Sequence, residues 1–343
     1  LPLPVTRAPF WKWLATQRHP GRQRARSDAW RQRFAGMDHA TLVGAQLGQR
    51  NNSTKNNRHK SHVSKDVWHR LRNFAQQSGV TVAALVQAAF GMVLASFTYQ
   101  RDLAIGVVQS GRPPEVIGAN DWVGMFMNTL PLRITVTPSQ PLNEWLAEIQ
   151  DQVLENQTAV ADGLADIQAW VGLGALFDAI VIFQNYPLRG AADYMQNGSR
   201  IVDFSLAERN EFALSLYVTE SEGLDFELCA GAGGPSSVLL EATARSLHHV
   251  LSQWLKDSTQ PLCATSVTAT KDIAALHNWG EKEKAAAPDT ALWSAIERVI
   301  ASSPQKKAIT DPTGPSKTYG ELSQVIRSVE AQIRSANLAR EEV

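Results

Sequence analysis

The sequence has little cysteine and little charge. Its 343 residues include two cysteines, and 19% are charged, with 33 Lys and Arg against 33 Asp and Glu. Cys229 and Cys263 are too far apart in sequence to suggest a disulfide framework or a metal-ligand pattern, so we expect a reducing, cytoplasmic location. A formal net charge of zero gives no electrostatic reason to bind a phosphate backbone, and no nucleic-acid partner is expected.

Long apolar runs are missing as well. The longest, Val82 to Phe97, is interrupted by polar or small residues and falls short of the ~20 residues that cross a bilayer. It predicts a buried helix and no membrane partner. The chain starts at Leu1 rather than Met, and its first residues have neither the basic start nor the apolar stretch of a signal peptide. We therefore expect a piece cut from a longer protein.

Familiar catalytic motifs are not found either. Gly-x-Ser-x-Gly, a phosphate-binding Gly-x-x-x-x-Gly-Lys and Gly-x-Gly-x-x-Gly are absent as proper motifs, and Gly231 to Pro235 is predicted to be an ordinary turn. His248 and His249 lie inside a predicted helix with no nearby acidic partner, so we interpret them as structural. Three further histidines have no metal-ligand spacing, and no metal is expected: His59, His62 and His69.

The apolar pattern indicates mixed helices and strands. A polar stretch from Gln46 to Ser61 has no periodicity and is predicted to be a surface loop. The helices are predicted at one or two positions in Pro9 to Gly36, after the caps Ser64 and Thr81, from Leu142 to Val153, and from Val238 to Lys256. The strands are predicted at Leu103 to Val108, in a kinked segment Val123 to Val136, at a central Phe177 to Phe183, and in a hairpin spanning Phe212 to Leu228.

A composition shift divides the chain. Asn278 to Pro288 is rich in Gly, Lys, Glu and Ala, which is typical of a linker. Beyond it we expect a helix around Leu292, a strand Ala308 to Thr310, and a capping box at Thr318 to Glu321. The predicted domains are therefore residues 1–280, a linker at 281–288, and a separate unit at 289–343.

Polar residues in two apolar segments indicate a candidate site. Asn128 and Thr129 stand in an apolar strand, where their side chains are costly unless they are hydrogen-bonded. Arg112 stands in the turn Ser110 to Pro114, and its guanidinium calls for a carboxylate partner.

At these residues the sequence resembles a known family. Val123 to Arg133 resembles the Gly-x-Phe-x-Asn-Thr-x-x-x-Arg motif of condensation domains in nonribosomal peptide synthetases. The matching residues are Gly124, Phe126, Asn128, Thr129 and Arg133. Further segments resemble the family in the expected order: Phe10 to Leu14, Trp30 to Gly36, Gly79 to Phe90, and Phe177 to Pro187. The resemblance covers Leu1 to about Gly280.

Two features extend or limit this resemblance. Lys317 to Leu322 resembles the opening motif of adenylation domains, so 289–343 is expected to be a truncated start of such a domain. The family's His-His-x-x-x-Asp-Gly motif, whose second histidine acts on the attacking amine, is not in the sequence, and we expect it just before Leu1. His248 to Trp254 does not replace it, because Gln253 and Trp254 stand where Asp and Gly belong.

The resemblance implies a fold, an activity and partners. The implied fold class is α/β (an α+β two-layer sandwich) of the chloramphenicol-acetyltransferase type, with two lobes and a tunnel between them. This chain would hold the second lobe and the tail of the first. Upstream and downstream peptidyl carrier domains would bring thioesters on phosphopantetheine, no cofactor would be bound directly, and an adenylation domain would follow in cis. The activity is amide-bond formation by acyl transfer to nitrogen.

The resemblance also assigns residue roles. Arg112 would pair with the aspartate of the missing motif, and Asn128 and Thr129 would line the tunnel floor. The active-site support and tunnel lining comprise Gly111, Arg112, Gly124, Phe126, Asn128, Thr129 and Arg133, and no residue of this chain is assigned as catalytic. The fragment itself is then expected to be inactive.

Two alternatives stay open. The lobe could serve as a non-catalytic docking platform for carrier and adenylation domains. It could also belong to an epimerisation domain of the same fold, although the Asn128-Thr129 pair argues against that because the epimerisation version of the motif lacks Asn-Thr.

Overall fold

The computed structural model describes residues 8–47, 57–112, 116, 118–184, 211–220, 222–280, 292–310 and 316–335. The chain divides into two compact units, Leu1–Ile273 and Ala274–Val343.

A six-stranded mixed sheet forms the centre of the first unit. Its strands lie in the spatial order β1, β6, β5, β4, β2, β3. The three central strands β5, β4 and β2 run parallel, and the outer pairs are antiparallel. The strand bounds are β1 (Arg58–Val63), β2 (Asp102–Gln109), β3 (Asn128–Thr135), β4 (Ala179–Phe183), β5 (Leu214–Glu220) and β6 (Leu224–Ala230).

Most helices cover one face of this sheet. Helix α5 is buried along nearly its whole length and contacts α4, α6 and α8, as its uniformly apolar sequence requires. Thr81 caps α5 by accepting a hydrogen bond from the Ala84 N–H at 3.1 Å. The helix bounds are α1 (Ala8–Gln17), α2 (Pro20–Arg33), α3 (Val43–Leu47), α4 (Lys65–Gln77), α5 (Val82–Thr98), α6 (Leu142–Thr158), α7 (Leu164–Val171), α8 (Ser237–Trp254) and α9 (Thr270–Gly280).

A smaller apolar cluster lies on the opposite face. Trp30 and Phe34 from the region of α2 and Ile167 from α7 pack there with Leu130 of β3 and Ile180 of β4. This cluster packs α2 and α7 against β3 and β4 on this face of the sheet. The α/β fold class expected from the sequence is confirmed.

The second unit is small. Helix α10 (Leu292–Ser302) precedes two short antiparallel strands, β7 (Lys307–Ile309) and β8 (Lys317–Thr318), and helix α11 (Tyr319–Ser335) follows. The predicted capping box is confirmed, because Glu321 Oε2 accepts from the Thr318 N–H at 2.8 Å and Thr318 Oγ1 accepts from the Glu321 N–H at 3.3 Å.

The predicted loop from Gln46 to Ser61 is wrong at both ends. Gln46 and Leu47 belong to α3, and Arg58 to Ser61 belong to β1. Strand β1 is an edge strand whose outward side chains are charged, and Arg58 and Lys60 pair with Glu227 of β6. A strand of this kind has no apolar alternation to reveal it.

Three smaller predictions also need correction. Ser64 precedes α4, but its side chain makes no capping hydrogen bond. The kinked segment from Val123 is a strand only from Asn128 onward. The predicted linker begins too early, because Asn278 belongs to α9. The rest of that linker, 281–288, lies outside the described residues.

Candidate active site

The two motif segments meet at one end of the sheet. Strands β2 and β3 pair so that Gln109, the last residue of β2, lies opposite Asn128, the first residue of β3. Ser110 to Arg112 therefore leave the sheet where Val123 to Met127 enter it. This antiparallel register joins segments that are separated in the sequence.

Gly111 allows these segments to approach closely. A Cβ atom at this position would lie 2.4 Å from the carbonyl oxygen of Phe126 and 3.2 Å from Cβ of Val160. Any side chain would push the incoming segment away from the end of β2. Only glycine fits at this position without a steric clash.

Arg112 holds the segment before β3. Its Nη1 donates to the carbonyls of Ala119 at 2.8 Å and Trp122 at 3.1 Å, and its guanidinium lies 4.4 Å from the ring centre of Phe126. Charge-assisted hydrogen bonds and a cation–π contact of this kind order a loop without a regular ladder.

Gly124 and Phe126 pack the segment before β3 against α1. A Cβ at Gly124 would lie 2.4 Å from Cγ of Phe10, so the ring packs directly against the backbone. Phe126 is buried, and its ring centre lies 4.7 Å from that of Phe10 and 6.0 Å from that of Trp13. The edge-to-face contact of Phe126 with Phe10 and its tilted contact with Trp13 join α1 to the start of β3.

Asn128 binds the segment that connects α6 to α7. Its Nδ2 donates to the carbonyls of Val160 at 2.8 Å and Asp162 at 2.6 Å. The amide nitrogen of this half-buried side chain is satisfied in this way, as expected for a polar side chain in an apolar strand. Thr129, the next residue, is half-buried on β3 opposite Val108 of β2.

Arg133 joins β2, β3 and the end of α2. Its guanidinium makes a bidentate pair with Asp102 at 2.9 and 2.7 Å, and Nη1 donates to the carbonyls of Arg33 and Ala35 at 2.8 and 2.9 Å. The hydrogen bonds to Asp102 raise the pKa of Arg133 above its ordinary value. This arginine acts as a structural clamp.

A cavity of about 580 Å³ opens beside these segments. Gly111 and Arg112 line it, and the other predicted site residues are not among its lining residues. Walls also come from α1, the end of β2, α6 and the segment after α6: Trp13, Gln17, Gln109, Ser110, Leu154, Gln157, Thr158, Val160 and Ala161. The volume lies within the ~300–1,000 Å³ typical of small-ligand pockets.

Sequence reasoning missed one residue beside this cavity, Asp162. Its side chain is 1% exposed, accepts from Trp30 Nε1 at 2.8 Å, and lies with Oδ1 2.9 Å from Arg26 Nε. Burial raises the pKa of Asp162, while the Trp30 hydrogen bond and the charge of Arg26 oppose that change. Only the unusual burial of a carboxylate marks it, and burial is not visible in the sequence.

The histidine pair His248-His249 lines a different groove from the cavity beside the motif segments. His248 lies on α8 against β1, and its Nε2 is 3.0 Å from Ser61 Oγ, with an edge-to-face contact to Phe226. Burial, followed by the nearby His62 and His59, lowers the pKa of His248. Within the described ranges, no three His, Cys, Asp or Glu side chains are grouped to hold a metal ion.

Neither cysteine is among the residues that line the cavity. Burial raises the pKa of Cys229 to about 11, and Cys263 is exposed.

Among the described helices, no single one is long and apolar enough to cross a membrane. Only α4 and α5 taken together pass that test of length and composition, and they are bent by 101°.

The fold and the motif define a family. The condensation-domain family model matches residues 2–276, and the chain belongs to this family. Among curated proteins, it is 26% identical over 302 residues to one of the linear gramicidin synthase proteins of Brevibacillus parabrevis, a match that covers 86% of this chain. The chain spans only 4% of that relative's length.

Solved structures share the fold at low sequence identity. A four-domain nonribosomal peptide synthetase bound to AMP and glycine superposes with a TM-score of 0.65 at 15% identity, covering 91% of this chain and 25% of that one. The X-domain from teicoplanin biosynthesis in complex with OxyB gives a TM-score of 0.63 at 19% identity, covering 78% of this chain and 61% of that one.

Proposed function

We propose that this chain is part of a condensation domain in a nonribosomal peptide synthetase. Together with a first lobe, it joins a carrier-bound aminoacyl or peptidyl thioester to the amine of a second carrier-bound aminoacyl thioester. One observation carries the proposal: in a member of the condensation family, the Ser110 to Arg112 turn and the Gly124 to Asn128 motif converge beside one cavity.

The contribution of this chain to such a reaction is positioning. The amine attacks the thioester carbonyl, the carbon–sulfur bond breaks, the thiol leaves, and the amine loses a proton. Holding two thioesters in contact turns a bimolecular step into an intramolecular one, which is the main source of rate that this cavity offers. Proton transfer would fall to the histidine motif of the first lobe, whose aspartate would pair with Arg112.

The proposal includes partners and neighbouring domains. Carrier domains upstream and downstream would deliver phosphopantetheine-linked substrates, and Asn128 and Thr129 would support the tunnel they enter. Residues 281–288 would link the lobe to residues 289–343 as the start of an adenylation domain in cis. The predicted location is the cytoplasm.

The direct test uses two loaded carrier proteins and mass spectrometry. We expect no amide from the 343-residue chain alone, and amide when the upstream lobe carrying His-His-x-x-x-Asp-Gly is added. The matched control replaces the second histidine of that added motif with alanine and should abolish product. Amide formed by the chain alone above the no-enzyme level would refute the assignment of chemistry to the first lobe, and none from the complete pair would refute condensation.

A docking platform is the second candidate. It is favoured by the fold shared with the X-domain, a protein whose solved complex contains OxyB. Under this candidate the complete pair of lobes would bind carriers in a pull-down and form no amide. Product formation by the pair therefore separates the two functions.

A further inference from the structure

One wall of the cavity is a short segment held mainly through its backbone. Val160 and Ala161 line the cavity between α6 and α7. The carbonyls of Val160 and Asp162 accept from Asn128, and the carbonyl of Ala161 accepts from Arg18 Nε at the long distance of 3.5 Å. The Asp162 N–H closes a turn onto the carbonyl of Ala159 at 2.9 Å.

Asp162 connects this wall to α2. Its carboxylate is buried between Trp30 Nε1 and Arg26 Nε, both on α2. The Arg26 contact is an ion pair without hydrogen-bond alignment, since neither Arg26 Nε nor Asp162 Oδ1 has a hydrogen-bond partner. Asp162 itself is not among the lining residues. Any effect of Asp162 on the shape of the cavity must therefore act through Val160 and Ala161, which line it.

A buried carboxylate is a costly way to join two helical segments. Apolar side chains of similar volume stabilise such a contact equally well or better, because a buried charge loses its hydration. A hydrogen-bonded carboxylate differs in having direction, because the Trp30 Nε1–H fixes the position of one of its oxygens relative to α2. That position matters here, since Val160 packs so close to Gly111 that a Cβ on the glycine would lie 3.2 Å from Val160 Cβ, and both residues line the cavity.

We propose that Asp162 is a positioning residue, which sets the width of the cavity by anchoring the Val160–Ala161 wall to α2. This inference rests on the proposed function for the identity of the occupant, the thioester-bearing arm of a carrier. A wall displaced by about 1 Å misplaces the reacting groups, and such misplacement costs about 100-fold in rate.

The first experiment measures the mobility of the wall and needs no catalysed reaction. Hydrogen–deuterium exchange of the 343-residue chain compares Asp162→Ala with Asn156→Ala. Asn156 is the matched control because it is 1% exposed, ties α6 to β3 through the carbonyl of Pro131, and accepts from Arg33 of α2. We expect faster exchange at 159–163 in Asp162→Ala and no such change in Asn156→Ala.

The second experiment measures the kinetics of amide formation by the complete condensation domain with its first lobe. Asp162→Ala should lower kcat/KM by about 10- to 100-fold, mainly through kcat, as expected of a misplaced wall. Asp162→Asn, which keeps the shape and an acceptor for Trp30, should restore most of the rate. Asn156→Ala should lower the melting temperature with little loss of kcat/KM.

The outcomes separate the inference from the proposed function. If the exchange pattern appears but wild type forms no amide, the wall anchor stands and condensation fails. If wild type is active and Asp162→Ala loosens the wall with unchanged kinetics, or leaves exchange at 159–163 unchanged, the inference is overturned. If Asp162→Ala does not fold, Trp30→Phe removes the indole donor to Asp162 and keeps an aromatic ring in its place, and exchange at 159–163 together with kcat/KM decides.

Discussion

Arg133 joins three elements through one guanidinium, so its removal should destabilise the first unit as a whole. Arg133→Ala leaves Asp102 and two carbonyls without their donor, and hydrogen bonds to charged groups are worth about 1.5–3 kcal/mol. We expect the free energy of unfolding in urea to fall by about that amount. Arg133→Lys should recover only part of it because lysine cannot form the bidentate pair.

The matched control is Arg101→Ala, an exposed arginine just before β2. Its effect should stay within about 0.5 kcal/mol. Equal unfolding midpoints for the Arg133 and Arg101 variants would contradict the clamp.

Arg112 should affect stability and activity together in the complete condensation domain. Arg112→Ala frees the carbonyls of Ala119 and Trp122 and removes the contact with Phe126. If the aspartate of the first lobe pairs with this arginine, the lost partner costs on the order of 3–5 kcal/mol. Thermal unfolding and the amide assay should both register the change. A variant as stable and as active as wild type would make Arg112 an ordinary turn residue.

At this scale the sequence indicated which polar side chains need partners but not where those partners lie. Asn128 and Arg112 were expected to need partners, a carboxylate in the case of Arg112, and in the structure each of them donates to two backbone carbonyls. The carbonyls that accept from Asn128 lie more than thirty positions away in the chain. Only the tertiary fold supplies such partners, and Asp162 could not be found for the same reason.

The packing of α8 on β1 should make stability depend on pH. The pKa of His248 is lowered in the folded state, chiefly by burial, so protonation favours the unfolded state. Stability should therefore fall as pH drops below the unfolded value of about 6.5, by at most about 1.4 kcal/mol per pH unit for this one proton. His59 and Ser61 of β1 and Arg245 and His249 of α8 line the same groove.

Urea unfolding of wild type and His248→Gln between pH 5 and 7.5 measures this dependence. The variant should show a shallower fall at low pH. Ser61→Ala is the control, because it removes the hydrogen bond to His248 but leaves the histidine buried, and it should retain most of the dependence. Parallel curves for wild type and His248→Gln would exclude a contribution from this residue.

Elements differed in how well their sequences predicted them. Helix α5 and strands β4, β5 and β6 bury apolar faces, so their patterns predicted them correctly. Strand β1 was missed because it is held by backbone pairing to β6 and by charged cross-strand pairs such as Arg58 with Glu227. Such pairing depends on a partner strand that lies far along the chain.

The whole molecule should bind hydrophobic dyes. Trp11, Met125 and Met127 are 62%, 78% and 59% exposed, in the segments that Phe10, Gly124 and Phe126 bring together. Exposed apolar patches of this kind mark interaction surfaces. We expect the purified chain to bind such a dye or self-associate, and the upstream lobe to suppress both.

Variants locate the dye-binding surface. Met125→Gln with Met127→Gln should reduce dye binding, while Val238→Ser on α8, at a residue 72% exposed, should change it little. A dye-silent monomer that is indifferent to the upstream lobe would argue for a self-sufficient domain and favour the docking platform.

The backbone tethering of the cavity wall has a consequence for evolution and engineering. Because Asn128 and Arg18 hold carbonyl groups, which every amino acid carries, these hydrogen bonds do not depend on which side chains stand at 160 and 161. Substitutions there can reshape the cavity while these bonds persist, provided that Gly111 keeps its space. The packing of Val160 and the burial of Ala161 then set how large such substitutions can be, so the wall is a place where cavity shape can be redesigned within limits given by its neighbours.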